Sequence, residues 1–256
     1  MKILNLKRWK ALPVILAVTV ICFAVVFAGL TVFRPQVAAL YRKAVAFFTV
    51  SKNAEYAHYR DEDGQIVIRV DPGHGGSDPG AVSDFLGEFT ESDINYRLSR
   101  LLKEELEKYG YTVILTWDEN TVPSEKGDYP YQERSAAANA DESTDLYISL
   151  HCNSFTDSSV NGSRIYFCSE GSGYNYFLAK SISDGIAGVH EDYPTLYPMK
   201  YENAFYVIKY TEAPSVLLET LFVSNQSDAE KLLDEEWLAA EAQGIAAGIK
   251  AFLSDG

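Results

Sequence analysis

Four side chains are of the types that hold a metal ion or move a proton, and each stands where such chemistry can be done. His74 lies in Arg69-Val-Asp-Pro-Gly-His-Gly-Gly-Ser-Asp-Pro-Gly-Ala81. The run Ile66, Val67, Ile68 and Val70 reads as a short buried strand, stopped by Pro72 and Gly73. An imidazole at a strand end, in a loop with glycine at 73, 75, 76 and 80, is well placed to ligate a metal, because glycine lets other atoms approach the backbone. Glu91 opens a helix, near its positive N-terminal end. His151 lies in Tyr147-Ile-Ser-Leu-His-Cys-Asn153, where strand alternation puts Tyr147, Ser149, His151 and Asn153 on one side. Glu219 is the one carboxylate inside the apolar stretch Pro214–Thr220. An unpaired buried carboxylate is costly, so Glu219 is either partnered or functional.

Two histidines, a carboxylate and a water make the open site of a catalytic zinc. Each residue taken alone also has a structural reading: an incidental histidine in a tight loop, or a glutamate serving as a helix cap. The spacing 74, 91, 151 matches no compact zinc motif such as HExxH. His58, in a polar stalk, and His190, in a polar loop, are weaker candidates.

The elements that must position these residues alternate between strand-like and helix-like over residues 64–256, which indicates an α/β domain. Thr90-Glu91-Ser92-Asp93 has the form of a helix start, with Thr90 as N-cap. Ile94, Leu98, Leu101, Leu102 and Leu106 then give one buried face, and Gly110 ends the helix. Strands are expected at Tyr111–Thr116, Leu146–Asn153, Arg164–Cys168 and Ser215–Phe222. Helices are expected at Gln132–Ala140, Tyr174–Val189 and, with Trp237, Leu238, Ile245, Ile249 and Phe252 on one face, at the C-terminus. Asp118–Tyr131 and Glu191–Tyr206 read as loops.

The net charge of −14 hides an asymmetry. Residues 1–43 hold seven basic residues and no acid, which leaves 15 basic and 36 acidic residues in the rest, a net of −21. So acidic a body excludes a nucleic-acid partner, which requires basic patches. Three cysteines make no disulfide framework; Cys152 and Cys168 are expected as reduced, buried thiols. Ala11–Phe33 is 23 residues without a charge, long enough to cross a hydrocarbon core of ~30 Å as a helix. Residues 1–43 are therefore expected to form a membrane anchor with its span at about 11–33. The alternative is a secreted form cleaved near Ala28. Residues 44–63 read as a stalk and 64–256 as the catalytic domain, which would lie outside the cytoplasm.

The stretches Val-Asp-Pro-Gly-His-Gly-Gly (70–76), Thr-Glu-Ser-Asp-Ile-Asn (90–95), Ile-Ser-Leu-His-Cys-Asn (148–153) and Ala-Pro-Ser-Val-Leu-Leu-Glu-Thr-Leu-Phe-Val-Ser-Asn (213–225), with the Arg134…Ala138-Asn139 helix, resemble the zinc-dependent N-acetylmuramoyl-L-alanine amidases of the amidase_3 type. The resemblance covers roughly residues 65–253 and implies a central, mostly parallel sheet flanked by helices. It implies zinc (Zn2+) held by His74, Glu91 and His151, Glu219 as the catalytic carboxylate, and Asn153 and Arg134 as substrate contacts. The implied substrate is peptidoglycan, cut between N-acetylmuramic acid and L-alanine. An anchor followed by one catalytic domain also resembles the spore-cortex amidases of endospore formers. A protein regulator is left open, as are two rivals: another zinc-dependent cell-wall peptidase, such as a carboxypeptidase, and a non-catalytic wall-binding scaffold. The chain departs from the family pattern at Thr116-Trp117, where members often have Thr-Arg, and at Thr220-Leu221-Phe222, where many have a glycine.

Overall fold

A computed structural model describes residues 65–118, 131–140, 144–168, 174–190, 199–202 and 204–254. The expected membrane span at 11–33, the stalk at 44–63, His58, Cys22 and most of the loop at 118–131 lie outside the described residues. Among the described residues, no helix is long and apolar enough to cross a membrane.

Strand β1 (Val67–Pro72) leads through a short 3-10 turn at Asp84–Leu86 to α1 (Glu91–Glu107) and β2 (Thr112–Leu115). Then follow α2 (Tyr131–Ala140), β3 (Thr144–Asn153), β4 (Arg164–Phe167), α3 (Asn175–Ala187), β5 (Met199–Tyr201) and α4 (Tyr206–Lys209). β6 (Ser215–Phe222), α5 (Gln226–Leu233) and α6 (Glu235–Ser254) complete the domain. The six strands form one sheet in the order β2-β1-β3-β6-β4-β5. Among the described strands, only the β4–β6 pairing is antiparallel, so the sheet is mostly parallel, as the resemblance implies.

The period-two alternation of the strands divides the core. Ile68, Val70, Ile148, Leu150, Val216 and Leu218 face α1, α3 and α6, whose Leu98, Ile182 and Ile245 belong to the same cluster. Tyr147 and Leu217 point to the other face and pack with Ala138 of α2 and with Val207 and Ile208 of α4. Among the described residues, that second face carries the smaller cluster. Cys152 lies in the first cluster and Cys168 in the second, both buried and neither in a disulfide.

Local signals account for most boundaries. Thr90 accepts the Asp93 backbone N–H while Asp93 accepts that of Thr90, a complete capping box. α3 and α6 cross with backbone in contact: a Cβ on Gly185 would lie 2.2 Å from the Gly244 carbonyl oxygen. The structure departs from the expected loop at Glu191–Tyr206, since β5 and the start of α4 fall within it. It also places α5 ahead of the expected C-terminal helix.

Candidate metal centre

β1, β3 and β6 are consecutive in the sheet and parallel. The loop after β1, the end of β3 and residue 219 of β6 therefore come to one edge, where ligands bind in open α/β sheets. His151 is paired in register with Glu219 on the neighbouring strand.

The loop carrying His74 is fastened from several sides. His74 has φ 64°, the only positive value among the described non-glycine residues. Such a conformation persists only where the surroundings enforce it. Arg134, buried on α2, donates to the carbonyls of Pro72 and His74 and pairs with Asp71 at 2.8 Å. Trp117 also donates its indole N–H to the Pro72 carbonyl at 2.8 Å and stacks on Tyr96. The unusual Thr116-Trp117 pair thus has a place: Thr116 donates to the Asp71 carboxylate, and Trp117 lies over Gly75. Asp78 approaches His74 Nδ1 at 2.7 Å.

Glu91, buried at the first position of α1, joins the two histidines. Its Oε1 lies 3.1 Å from His74 Nε2 and 3.1 Å from His151 Nδ1. The same oxygen accepts the Cys152 backbone N–H, and Oε2 accepts that of Ala81. Ligand atoms of the three residues all lie within 4.8 Å of one another. This set fits zinc, which takes imidazole nitrogen and carboxylate oxygen at ~2.0–2.2 Å. Two such ligands on one tetrahedral ion stand roughly 3.3 Å apart, close to the separations found. The backbone makes way for the rings. A Cβ on Gly73 would lie 2.3 Å from His151 Cε1, and one on Gly80 would lie 2.6 Å from His74 Cδ2 and 2.7 Å from Glu91 Oε2.

The electrostatics follow from this crowding. Burial works against a charged His74, but hydrogen bonds and charge from Glu91, then Asp78, outweigh it and raise its pKa to about 9. Burial likewise opposes the Glu91 anion, and the two histidines overcome it and hold the carboxyl well below its usual range. Glu219 behaves differently. Burial raises its pKa to about 7, and its Oε2 is shut off from solvent with no hydrogen-bond partner among the described residues.

A cavity of about 510 Å3 reaches this group, lined by His74, Asp78, Arg134 and His151 and walled by Tyr131, Phe205, Tyr206 and Leu217. Arg134 therefore both borders the cavity and holds the loop. Asn153 ends β3, two residues beyond His151 on the same side, and its Oδ1 accepts the Ser154 N–H. His190 stands apart from the group: it lies 3.0 Å from Glu241 and stacks on Trp237. Asp71, Asp78 and Trp117 escaped the sequence reading as parts of the site. Asp71 and Asp78 were visible within the glycine-rich motif, and Trp117 as a departure from the family pattern.

The family model described as N-acetylmuramoyl-L-alanine amidase (Amidase_3) matches residues 68–251. The chain belongs to this amidase family. Among its relatives, the uncharacterized protein YqiI of Bacillus subtilis (strain 168) is 35% identical over 188 residues, 73% of this chain and 84% of YqiI. The N-acetylmuramoyl-L-alanine amidase LytC of the same organism is 34% identical over 180 residues, 70% of this chain but 34% of LytC. Among solved amidases, CwlD from Clostridioides difficile, in complex with the GerS lipoprotein, is similar with a TM-score of 0.64 and 28% identity, over 74% of this chain and 99% of CwlD.

Proposed function

We propose that the chain is a zinc-dependent peptidoglycan hydrolase that cleaves the amide between the lactyl group of N-acetylmuramic acid and L-alanine. The observation that carries this reading is the convergence of His74 Nε2 and His151 Nδ1 on one oxygen of Glu91, with Glu219 beside His151 on the next strand. Membership of the amidase family supports it.

His74, Glu91 and His151 would hold the ion. Zinc, when bound, supplies Lewis acidity that acidifies water and polarises a carbonyl. Glu219 takes the proton of the water that attacks the amide carbon and delivers it to the nitrogen as the C–N bond breaks. Its buried position keeps that proton from bulk solvent, and a neighbouring cation favours the ionised form that accepts it. Arg134 keeps the His74 loop in place from the carbonyl side and borders the cavity, where it would contact substrate, as would Asn153 at the end of β3.

Glu219→Gln keeps shape and hydrogen-bonding ability but cannot shuttle a proton. It is expected to retain zinc and to lose at least about a hundredfold in turnover. Zinc content and turnover measured on one preparation test this; near-normal turnover would overturn the role of Glu219.

A span at about 11–33, a stalk at 44–63 and a catalytic domain at 64–256 would tether the enzyme at the cell membrane, outside the cytoplasm. The support is the uncharged 23-residue stretch. The same layout supports a spore-cortex role, with a protein partner such as the lipoprotein in the CwlD complex. Membrane fractionation, with mass spectrometry of co-purifying proteins, tests these points. The chain is expected in the membrane fraction; a soluble form beginning at Gly29 would replace the anchor with a cleaved signal.

A further inference from the structure

We propose that Asp78 is a positioning residue for the metal: its carboxylate keeps the His74 proton on Nδ1 and so makes Nε2 the ligand atom. The inference rests on the zinc part of the proposed function and is independent of which bond is cut.

Either nitrogen of a neutral imidazole can bind a metal, and the hydrogen bond made by the other nitrogen decides which one does. In His74 the two nitrogens face different carboxylates. Nδ1 lies 2.7 Å from Asp78 Oδ2, and Nε2 lies 3.1 Å from Glu91 Oε1. Turning the ring over would put a carbon against Asp78 and lose that bond. His151 presents the opposite nitrogen, Nδ1, to the same Glu91 oxygen. The choice of Nε2 at His74 therefore comes from its surroundings and is not shared by the two histidines.

Asp78 is itself fixed. Its Oδ1 accepts the Gly80 backbone N–H at 3.0 Å. Gly75 and Asp78 exchange backbone hydrogen bonds of 3.0 and 3.2 Å, closing the turn that links His74 to Asp78. Behind the ring, a Cβ at Gly80 would meet His74 Cδ2 at 2.6 Å, and Gly80 has φ +66°, a conformation that favours glycine. Arg134 holds the His74 carbonyl from the other side. The backbone, the ring and the carboxylate thus form one closed unit. Partners of this kind, bonded to the far nitrogen of a ligating histidine, fix its tautomer and raise its basicity.

Asp78→Asn in the full chain separates this role from a merely structural one. Asparagine can still accept the Gly80 N–H, but it then turns its NH2 group toward His74 Nδ1 and no longer accepts that proton. Zinc affinity, measured by competition with a chelator, is expected to fall about 10–100-fold. An unchanged affinity in a folded variant would overturn the proposal. Should the substitution disturb folding, long-range 1H–15N NMR of the zinc-loaded, unmutated chain reads the tautomer directly. A proton on Nδ1 of His74 is expected, and a proton on Nε2 would overturn the inference while leaving the zinc site standing. Failure of the unmutated chain to bind zinc would overturn the metal reading and this inference together.

Discussion

His74 and Glu219 bind their protons more tightly in the folded chain than in the unfolded one, and this has a measurable consequence for zinc-free protein. His74 has a pKa of about 9 against an ordinary 6.5, so its contribution to stability is complete below 6.5 and is lost as pH rises through 9. Glu219, at about 7 against 4.5, is also held in its protonated form, and that advantage disappears as pH rises from 4.5 through 7. Glu91 has the opposite sign: its contribution is present above 4.5 and is lost only in strong acid. Between pH 5 and pH 9 the melting temperature of chelator-stripped protein is therefore expected to fall. A melting temperature that rises over this range would contradict the assignment of these two groups. The four central residues were legible as candidates: His74 after a strand end, Glu91 at a helix start, His151 near the end of a strand, and Glu219 as the one carboxylate within an apolar strand. The contacts that hold them were not. Arg134 meets the Pro72 carbonyl 62 positions away and Asp71 63 positions away, and only the folded chain brings such partners together.

At the scale of elements, the long helices and the strands β1, β3 and β6 followed from hydrophobic period and caps. The misses have physical reasons. β5 has three residues and α4 has four, too few for a period to register. α5 and α6 are separated by Asp234 alone, whose side chain accepts the backbone N–H groups of Glu236 and Trp237 and starts α6. Asn225 caps α5 in the same way, so both starts carried a readable signal. The α3–α6 crossing makes a test of packing. Gly185→Ala gains in helix propensity but drives a methyl into the Gly244 carbonyl oxygen. It is expected to destabilise by roughly 1–3 kcal/mol, seen as a lower melting temperature with zinc binding retained. An unchanged melting temperature would show that the two helices have slack to separate.

For the whole molecule, charge and placement act together. The body beyond residue 43 carries a net charge of −21, which gives it no electrostatic attraction to an anionic wall. Tethering would instead supply the local concentration of enzyme at its substrate. His74, Glu91, His151, Glu219 and a cavity of about 510 Å3 share one edge of the sheet, and any extended substrate must be presented there. The amide reading commits to one bond in that substrate, and the products of digestion show which bond is cut. The decisive measurement is mass spectrometry of purified sacculi digested by the zinc-loaded chain. Peptide-free glycan together with intact stem peptides beginning at L-alanine is the predicted result. Stem peptides shortened while still attached to glycan would contradict it and make the enzyme a peptidase.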